Sequence, residues 1–422
     1  MDPRSAPAPP KAAAPAGDGR APAPGAARTR AAPAPDPPPI PFFGQRESFA
    51  RLWPDIRRHC GDVLDDGKFS HGAKVAEFQT ALAQWTGARH VVGTNSATDA
   101  LVLLLRAAGL RPGDDVVVPA FSFIASASSV ALARGRPVFA DIDPVTYALD
   151  PAGAEAAVTD RTTALMPVHL FHQLADMDAL GALARRRGLT VVEDSAEAVG
   201  MRWNGVHAGL LGAGGVLSFF PAKTLGAVGD AGAVLTDDPG IADTAAALGH
   251  HGRRGDTVAD FARIDTPTSL VGHNSKMDDL QAAVLLAKLP HLDTDIDRRA
   301  ELAAAYTERL RGLPGVLRLP TVVERAAETG PVFYVYLAEF DRRDELAAHL
   351  ARHGVGTETY YPVPLHLQPC FAHLGYRKGD FPNAEAACER ALALPLYPDL
   401  TVDEVDRVCA LVAGFYTGKG QP

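Results

Sequence analysis

The chain has 422 residues, 47% of them hydrophobic, and a net charge of −9 from 41 Lys and Arg against 50 Asp and Glu. That length buries a large core and suggests two domains, and the negative balance argues against a general nucleic-acid binder. No run approaches the ~18 uninterrupted apolar residues of a membrane span. The four scattered cysteines (Cys60, Cys370, Cys388, Cys409) form no CxxC pair, which fits a reducing, cytoplasmic setting and argues against a cysteine-based metal site; no metal is expected.

Residues 1–39 are rich in proline, alanine and glycine and contain no aromatic residue. Such a segment cannot bury enough apolar area to offset its ordering entropy, so a disordered tail is expected, without the apolar stretch of a signal peptide. The pattern then becomes regular. Residues 48–64 and 71–87 read as amphipathic helices, ARHVVGTN as a strand and turn, and SATDALVLLLRAAGL as a helix. From there apolar strands (DDVVVPA, RPVFADID, TTALMPVHL, LTVVEDSA, GGVLSFF, GAVLTDD) alternate with helices. This predicts a mainly parallel sheet covered on both faces, with ligands at the strand carboxyl ends. Residues 277–311 read as one long helix or a pair broken at Pro290. Beyond them, PVFYVYLAEF, RDELAAHLARHG and a terminal helix near 402–416 suggest a smaller α+β domain. The expected division is a tail (1–39), a large domain (40–300) and a small domain (301–422).

One stretch is chemically odd. In SFFPAKTLGAVGD, Lys223 is surrounded by Phe219, Phe220, Pro221, Leu225 and Val228. Either its ammonium snorkels out of an apolar site or it is held inside for chemistry. Two further features fall at predicted strand ends. GTNSATDA opens a helix whose N–H groups, with Ser96, form an anion site or an ordinary N-cap. Asp194 ends LTVVEDSA and, if buried, needs a cationic or donor partner. Pyridoxal 5′-phosphate asks for all three: a lysine for its aldehyde, a carboxylate for its pyridine nitrogen and an anion site for its phosphate.

Several stretches resemble, in order, the signatures of the DegT/DnrJ/EryC1/StrS aminotransferases. They are GTNSATDALVLLLRAAGLRPGDDVVVPAFSFIASASSV, PVHLFHQLADMDAL, VVEDSAEAVG, SFFPAKTLGAVGDAGAVLTDD, GHNSKMDDLQAAVLLAKL and TETYYPVPLHLQPCFAHLGYRKGDFPNAE. The resemblance implies the type I fold of pyridoxal-phosphate enzymes, with a large sheet domain, a smaller carboxyl-terminal α+β domain and a homodimer with interface active sites. It implies that Lys223 binds the cofactor covalently and Asp194 pairs with the pyridine nitrogen. Ser96, Ala97 and Ser218 would hold the phosphate, Phe123 would stack on the ring, and Asn274 would reach the phosphate from the partner subunit. The chain departs from the family's usual residues at Glu197 (glutamine or histidine), His172 (glycine) and Ala97 (glycine). Glu197 is expected beside the cofactor, either protonated or placing a negative charge near the lysine nitrogen. His172, Tyr361 and His366, with the basic loop HHGRRG, are candidate substrate contacts.

The implied reaction is transfer of the amino group of L-glutamate to a keto group of a nucleotide-linked sugar in antibiotic or polysaccharide biosynthesis. The carboxyl-terminal motif most resembles members acting on dTDP-linked 3-keto-6-deoxy sugars. A keto-cyclitol or a 4-keto nucleotide sugar is the alternative acceptor, and a non-catalytic cofactor-binding regulator is the alternative class.

Overall fold

The strands form where β-branched and small apolar residues run uninterrupted, because both faces of the central sheet are covered by helices. The structure, a computed structural model, describes residues 38–70, 72–254, 268–325 and 330–418. The expected disordered tail, up to residue 37, and the last residue of the HHGRRG loop lie outside the described residues.

The strands in chain order are β1 (His90–Thr94), β2 (Asp115–Pro119), β3 (Arg136–Ala140), β4 (Thr162–Leu165), β5 (Thr190–Asp194), β6 (Arg202–Trp203), β7 (Val206–His207), β8 (Gly214–Ser218), β9 (Gly232–Thr236), β10 (Val316–Arg318), β11 (Tyr336–Phe340) and β12 (Ala391–Leu394). Seven of them make one sheet in the order β1-β9-β8-β5-β4-β2-β3. Only β9 runs antiparallel to its neighbours. Every residue of β2, β8 and β9 is buried, which explains their continuous apolar runs. The expected long strand TTALMPVHL is shorter, because Pro167 has no N–H to give the ladder. Its carbonyl instead accepts from Asp194 N at 3.0 Å, and Val168 rejoins β5 in a single bridge.

A three-stranded antiparallel sheet, β10-β11-β12, carries a second core. Leu302, Tyr306, Leu346, Val405 and Val408 pack there, and so does Ile40. The Ile40 backbone exchanges hydrogen bonds with Gly354 and Gly356 at 2.8 Å, so the chain enters through the second core before building the first. The helix Leu292–Leu310 crosses residue 300: Leu292 packs in the core beneath β8 and β9, while Leu302 and Leu310 pack in the second core. The long 277–311 segment is a pair of helices, Asp279–Lys288 and Leu292–Leu310, joined by a 3₁₀ turn at Leu289–His291 that contains Pro290. Among the described residues no helix is long and apolar enough to cross a membrane.

Candidate active site

A cavity of about 440 Å³ opens at the carboxyl ends of β1, β5 and β8. That volume is within the usual range for small-ligand sites. The helix Ala97–Ala107 starts on one wall. Ser96 is its N-cap, in extended backbone, and its hydroxyl accepts from Asp99 N at 3.2 Å. The N–H groups of Ala97 and Thr98, which have no intrahelical partner, belong to residues lining the cavity. The first turn is pressed against β9 at Gly232. A Cβ there would lie 2.5 Å from Ala97 N and 2.8 Å from Ser96 O, so only glycine lets the helix terminus approach. Gly232 pairs with Thr94 on one side and Ser218 on the other, which brings Ser96 and Ser218 to the lining of the same cavity.

Asp194 ends β5 as a buried carboxylate. Its Oδ2 accepts from Ser126 Oγ at 2.6 Å, and Oδ1 accepts from Ala196 N at 3.3 Å. Burial pushes this carboxyl up, against the opposing pull of the Ser126 and Ala196 donors and the Lys223 charge. A carboxylate raised by desolvation gains from a cationic ring N–H placed beside it.

The turn after β8 answers the question that Lys223 raised. Phe219 is buried against Phe78, ring centroids 5.3 Å apart, and anchors the turn. Lys223 N donates to Phe220 O and Ala227 N to Phe219 O, both at 2.8 Å, closing the loop on itself. The amine does not snorkel to bulk solvent; it lines the cavity, with Nζ 3.0 Å from Glu197 Oε1 and 4.2 Å from the centre of the Tyr334 ring. Glu197 also accepts from the Tyr361 hydroxyl at 3.4 Å and, through Oε2, from Phe171 N at 3.3 Å. All three partners are donors, and an unprotonated carboxylate accepts from them together. Burial and the Glu197 charge hold the Tyr361 hydroxyl well above its ordinary value, so it stays a neutral donor.

Ser96, Ala97, Phe123, Asp194, Glu197, Ser218, Lys223 and Tyr361 line this one cavity. Phe123 stands at its edge, 57% exposed, with its ring 6.3 Å from that of Tyr361. Three candidates are elsewhere. Asn274 is exposed on a loop and takes a 2.5 Å hydrogen bond from Lys276, away from its own chain's cavity lining. His172 is buried rather than in the cavity wall or on the surface. It stacks on Phe333 at 5.2 Å and donates through Nε2 to Thr321 O. His366 is buried too, donating to Glu385 at 3.1 Å behind Tyr376 and Phe381. Both positions replace substrate contact with packing. Sequence reasoning missed Tyr334, Tyr360, Ser126 and Gly232. The small polar run SFIASASS, opening a helix at a strand end, was the available signal for Ser126; Tyr334 offered none, lying between apolar neighbours of a strand-like run.

The residues fit pyridoxal phosphate on the geometry of this chain. An amine meets an aldehyde, a buried carboxylate raised by its surroundings faces the interior, and a helix terminus that tolerates no side chain opposite it offers free N–H groups. A cavity with that chemistry, at the strand ends of a mainly parallel sheet, is that of a type I pyridoxal-phosphate enzyme. Residues 52–413 match the DegT/DnrJ/EryC1/StrS aminotransferase family, and the chain belongs to it as a pyridoxal-phosphate-dependent aminotransferase. It is 41% identical, over 89% of its length and 98% of the relative's, to the pleiotropic regulatory protein of Geobacillus stearothermophilus. It is 40% identical, over 87% of its length and 94% of the relative's, to dTDP-3-amino-3,4,6-trideoxy-alpha-D-glucose transaminase of Streptomyces venezuelae. The crystal structure of S. venezuelae DesV superposes with a TM-score of 0.84 at 39% identity, covering 90% of this chain and 99% of that one.

Proposed function

We propose that this aminotransferase takes the amino group of L-glutamate and delivers it to the keto carbon of a nucleotide-linked sugar, with a dTDP-linked 3-keto-6-deoxyhexose as the acceptor. The product would serve antibiotic or polysaccharide biosynthesis. The observation that carries the reading is the amine of Lys223, free of backbone duties and held in the cavity between Glu197 and the Tyr334 ring. The likeness to a transaminase named for an amino group at carbon 3 supports the position of attack.

The bound cofactor supplies an electron sink for the carbanion formed at the amino-bearing carbon. The protein supplies the rest. Asp194 would keep the ring nitrogen protonated, the helix terminus with Ser96 and Ser218 would hold the phosphate, and Phe123 would cover the ring. Lys223, its amine in the cavity, would carry the proton to and from the substrate carbon in both halves of the reaction. Glu197 holds the Lys223 nitrogen whenever it is released as a free amine. Cofactor and sugar would share the cavity of about 440 Å³, and the nucleotide would extend past Phe123 into the mouth. We place the enzyme in the cytoplasm as a homodimer, in which Asn274, exposed in one protomer, would meet the phosphate held by its partner.

A single turnover tests this. Glutamate converts the enzyme to its pyridoxamine form, glutamate is removed, and a dTDP-linked 3-keto-6-deoxyhexose is added. Return of the visible absorbance of the aldehyde form supports the reading. Failure with that sugar, while 2-oxoglutarate restores the colour, rejects this acceptor and directs the search to 4-keto nucleotide sugars and keto-cyclitols.

A further inference from the structure

Lys223 and Thr224 also line a second, much smaller cavity of about 30 Å³, whose wall includes Phe49, Lys288, Asp295 and Arg299. Besides Lys223 it is lined by two cations, Lys288 and the buried Arg299. Among the described residues, neither Lys288 nor Arg299 forms an ion pair, and Asp295 is committed to Arg51 at 2.9 Å. Burial pushes the Lys288 ammonium down to about 8, against the pull of Asp295 and with the repulsion of Arg299 and Arg51. Burial likewise lowers Arg299, to about 10. Interior cations without a carboxylate are costly, so what they hold matters.

Both hold main-chain carbonyls of segments that touch Lys223. Lys288 Nζ donates to Gly226 O at 2.5 Å, three residues beyond Lys223 in its turn, and lies 5.4 Å above the Phe49 ring. The turn cannot loosen around Gly226 by taking a side chain, because a Cβ there would collide with Pro221 O. Gln281, two helical turns before Lys288 on the same helix, accepts from Val228 N at 3.1 Å. One helix thus grips the lysine turn at two points along one face. Beyond the break at Pro290, Arg299 donates to Tyr334 O at 3.0 Å and to Leu396 O at 2.8 Å. Tyr334 is the residue whose ring faces the Lys223 amine.

We infer that Lys288 and Arg299 are positioning residues for Lys223: Lys288 clamps the turn that carries it, and Arg299 fixes the aromatic face beneath its amine. The proline break between the two helices brings the two cations, eleven residues apart, to the same cavity.

The test uses the holoenzyme. Lys288→Met keeps the aliphatic stem and removes the donor. Release of pyridoxal phosphate, followed by its visible absorbance, is expected to accelerate about tenfold, within the roughly 10²-fold that a 1 Å misplacement of a reacting group can cost. Amide hydrogen exchange should rise across residues 220–228 while the helix Val402–Thr417 stays as protected as in the wild type. Lys288→Arg should recover part of both. If Lys288→Met does not fold, Lys288→Gln is read on the same two assays. Release within about twofold of wild type, or exchange rising equally in both regions as general destabilisation would give, overturns the role of Lys288. Arg299→Lys, which keeps the charge but loses the two-carbonyl grip, should lower kcat with KM for glutamate unchanged; an unchanged kcat removes Arg299 from the inference.

Discussion

Glu197 Oε1 lies 3.0 Å from Lys223 Nζ and 3.4 Å from the Tyr361 hydroxyl, so one carboxylate oxygen joins the reactive amine to the aromatic wall of the cavity. A negative charge at that distance favours a protonated nitrogen on Lys223 when the cofactor is attached. Replacing it by a neutral amide removes that preference. Glu197→Gln should therefore shift the midpoint of the visible absorbance titration to lower pH by about one unit, the lower end of what an opposite charge at 4–6 Å contributes. The amide would also set its NH₂ against Phe171 N–H, which now donates to Oε2, at a cost of about 1–3 kcal/mol for the unmet donor. Identical titration curves for the two proteins would sink the electrostatic role.

The contact of Gly232 with the Ala97 terminus predicts a cofactor-binding defect from the smallest possible change. Gly232→Ala places a methyl 2.5 Å from Ala97 N. Either β9 or the helix must move, at a cost of about 1–3 kcal/mol typical of overpacking. The displaced N–H groups lose their aim on the phosphate. Equilibrium binding should show pyridoxal phosphate held about tenfold or more weakly, equivalent to roughly 1.4 kcal/mol. Pyridoxal without its phosphate should be affected much less. An equal loss for both ligands would show that Gly232 matters to the fold and not to phosphate recognition.

The alternating sheet, the strand-end location and the trio Lys223, Asp194 and Ser96 were readable because each rests on a local pattern: buried parallel strands are uniformly apolar, and a charge inside such a run is conspicuous. What was not readable depends on contacts distant in sequence. Tyr334 reaches Lys223 from 111 positions away, counted between their residue numbers, and nothing in PVFYVYLAEF separates the tyrosine that faces the cavity from Tyr336, which packs in the second core. His172 looked like a pocket residue because its motif borders the site, yet the backbone turns it onto Phe333. Ile40 joins the second core by pairing with residues more than 300 positions later, which no local periodicity records.

Asp194 separates stability from function. Burial raises its carboxyl, so in cofactor-free protein the folded state holds a proton that the unfolded state has already lost as pH climbs past the ordinary value of 3.8. Its ionised form thus destabilises the fold above that range, and the penalty is complete once pH exceeds the raised folded value. Asp194→Asn removes the charge and keeps an acceptor for Ser126. Cofactor-free Asp194→Asn should melt about 1 °C higher than wild type at neutral pH, the shift that about 1 kcal/mol gives a chain of this length at about 2.1 cal/mol/K of unfolding entropy per residue. Its transamination rate should fall by about 10² or more, because the ring nitrogen loses its counter-charge. A variant that melts lower, measured by calorimetry on both proteins, would mean that the carboxylate is compensated within the fold.

His172 and His207 predict how the enzyme fails in acid. Burial lowers both to about 4. His207 already gives its Nδ1–H to Ala208 O and accepts Gly200 N–H at Nε2, so a second proton would oppose that N–H. The stacked His172 has no partner for Nδ1. Each ring is neutral when folded, whereas in the unfolded chain it takes a proton near 6.5. Between about 6.5 and 4 the unfolded state binds more protons, so stability is full above that window and is lost as pH falls through it. The whole window is worth on the order of 3 kcal/mol for each ring. Thermal melts from pH 7.5 to 4.5 should show a steep decline for wild type. His172→Phe, which keeps the stack on Phe333 but cannot titrate, should flatten that decline while starting from a somewhat lower melting temperature for want of the Thr321 hydrogen bond. Parallel curves for the two proteins would assign the acid sensitivity to other groups.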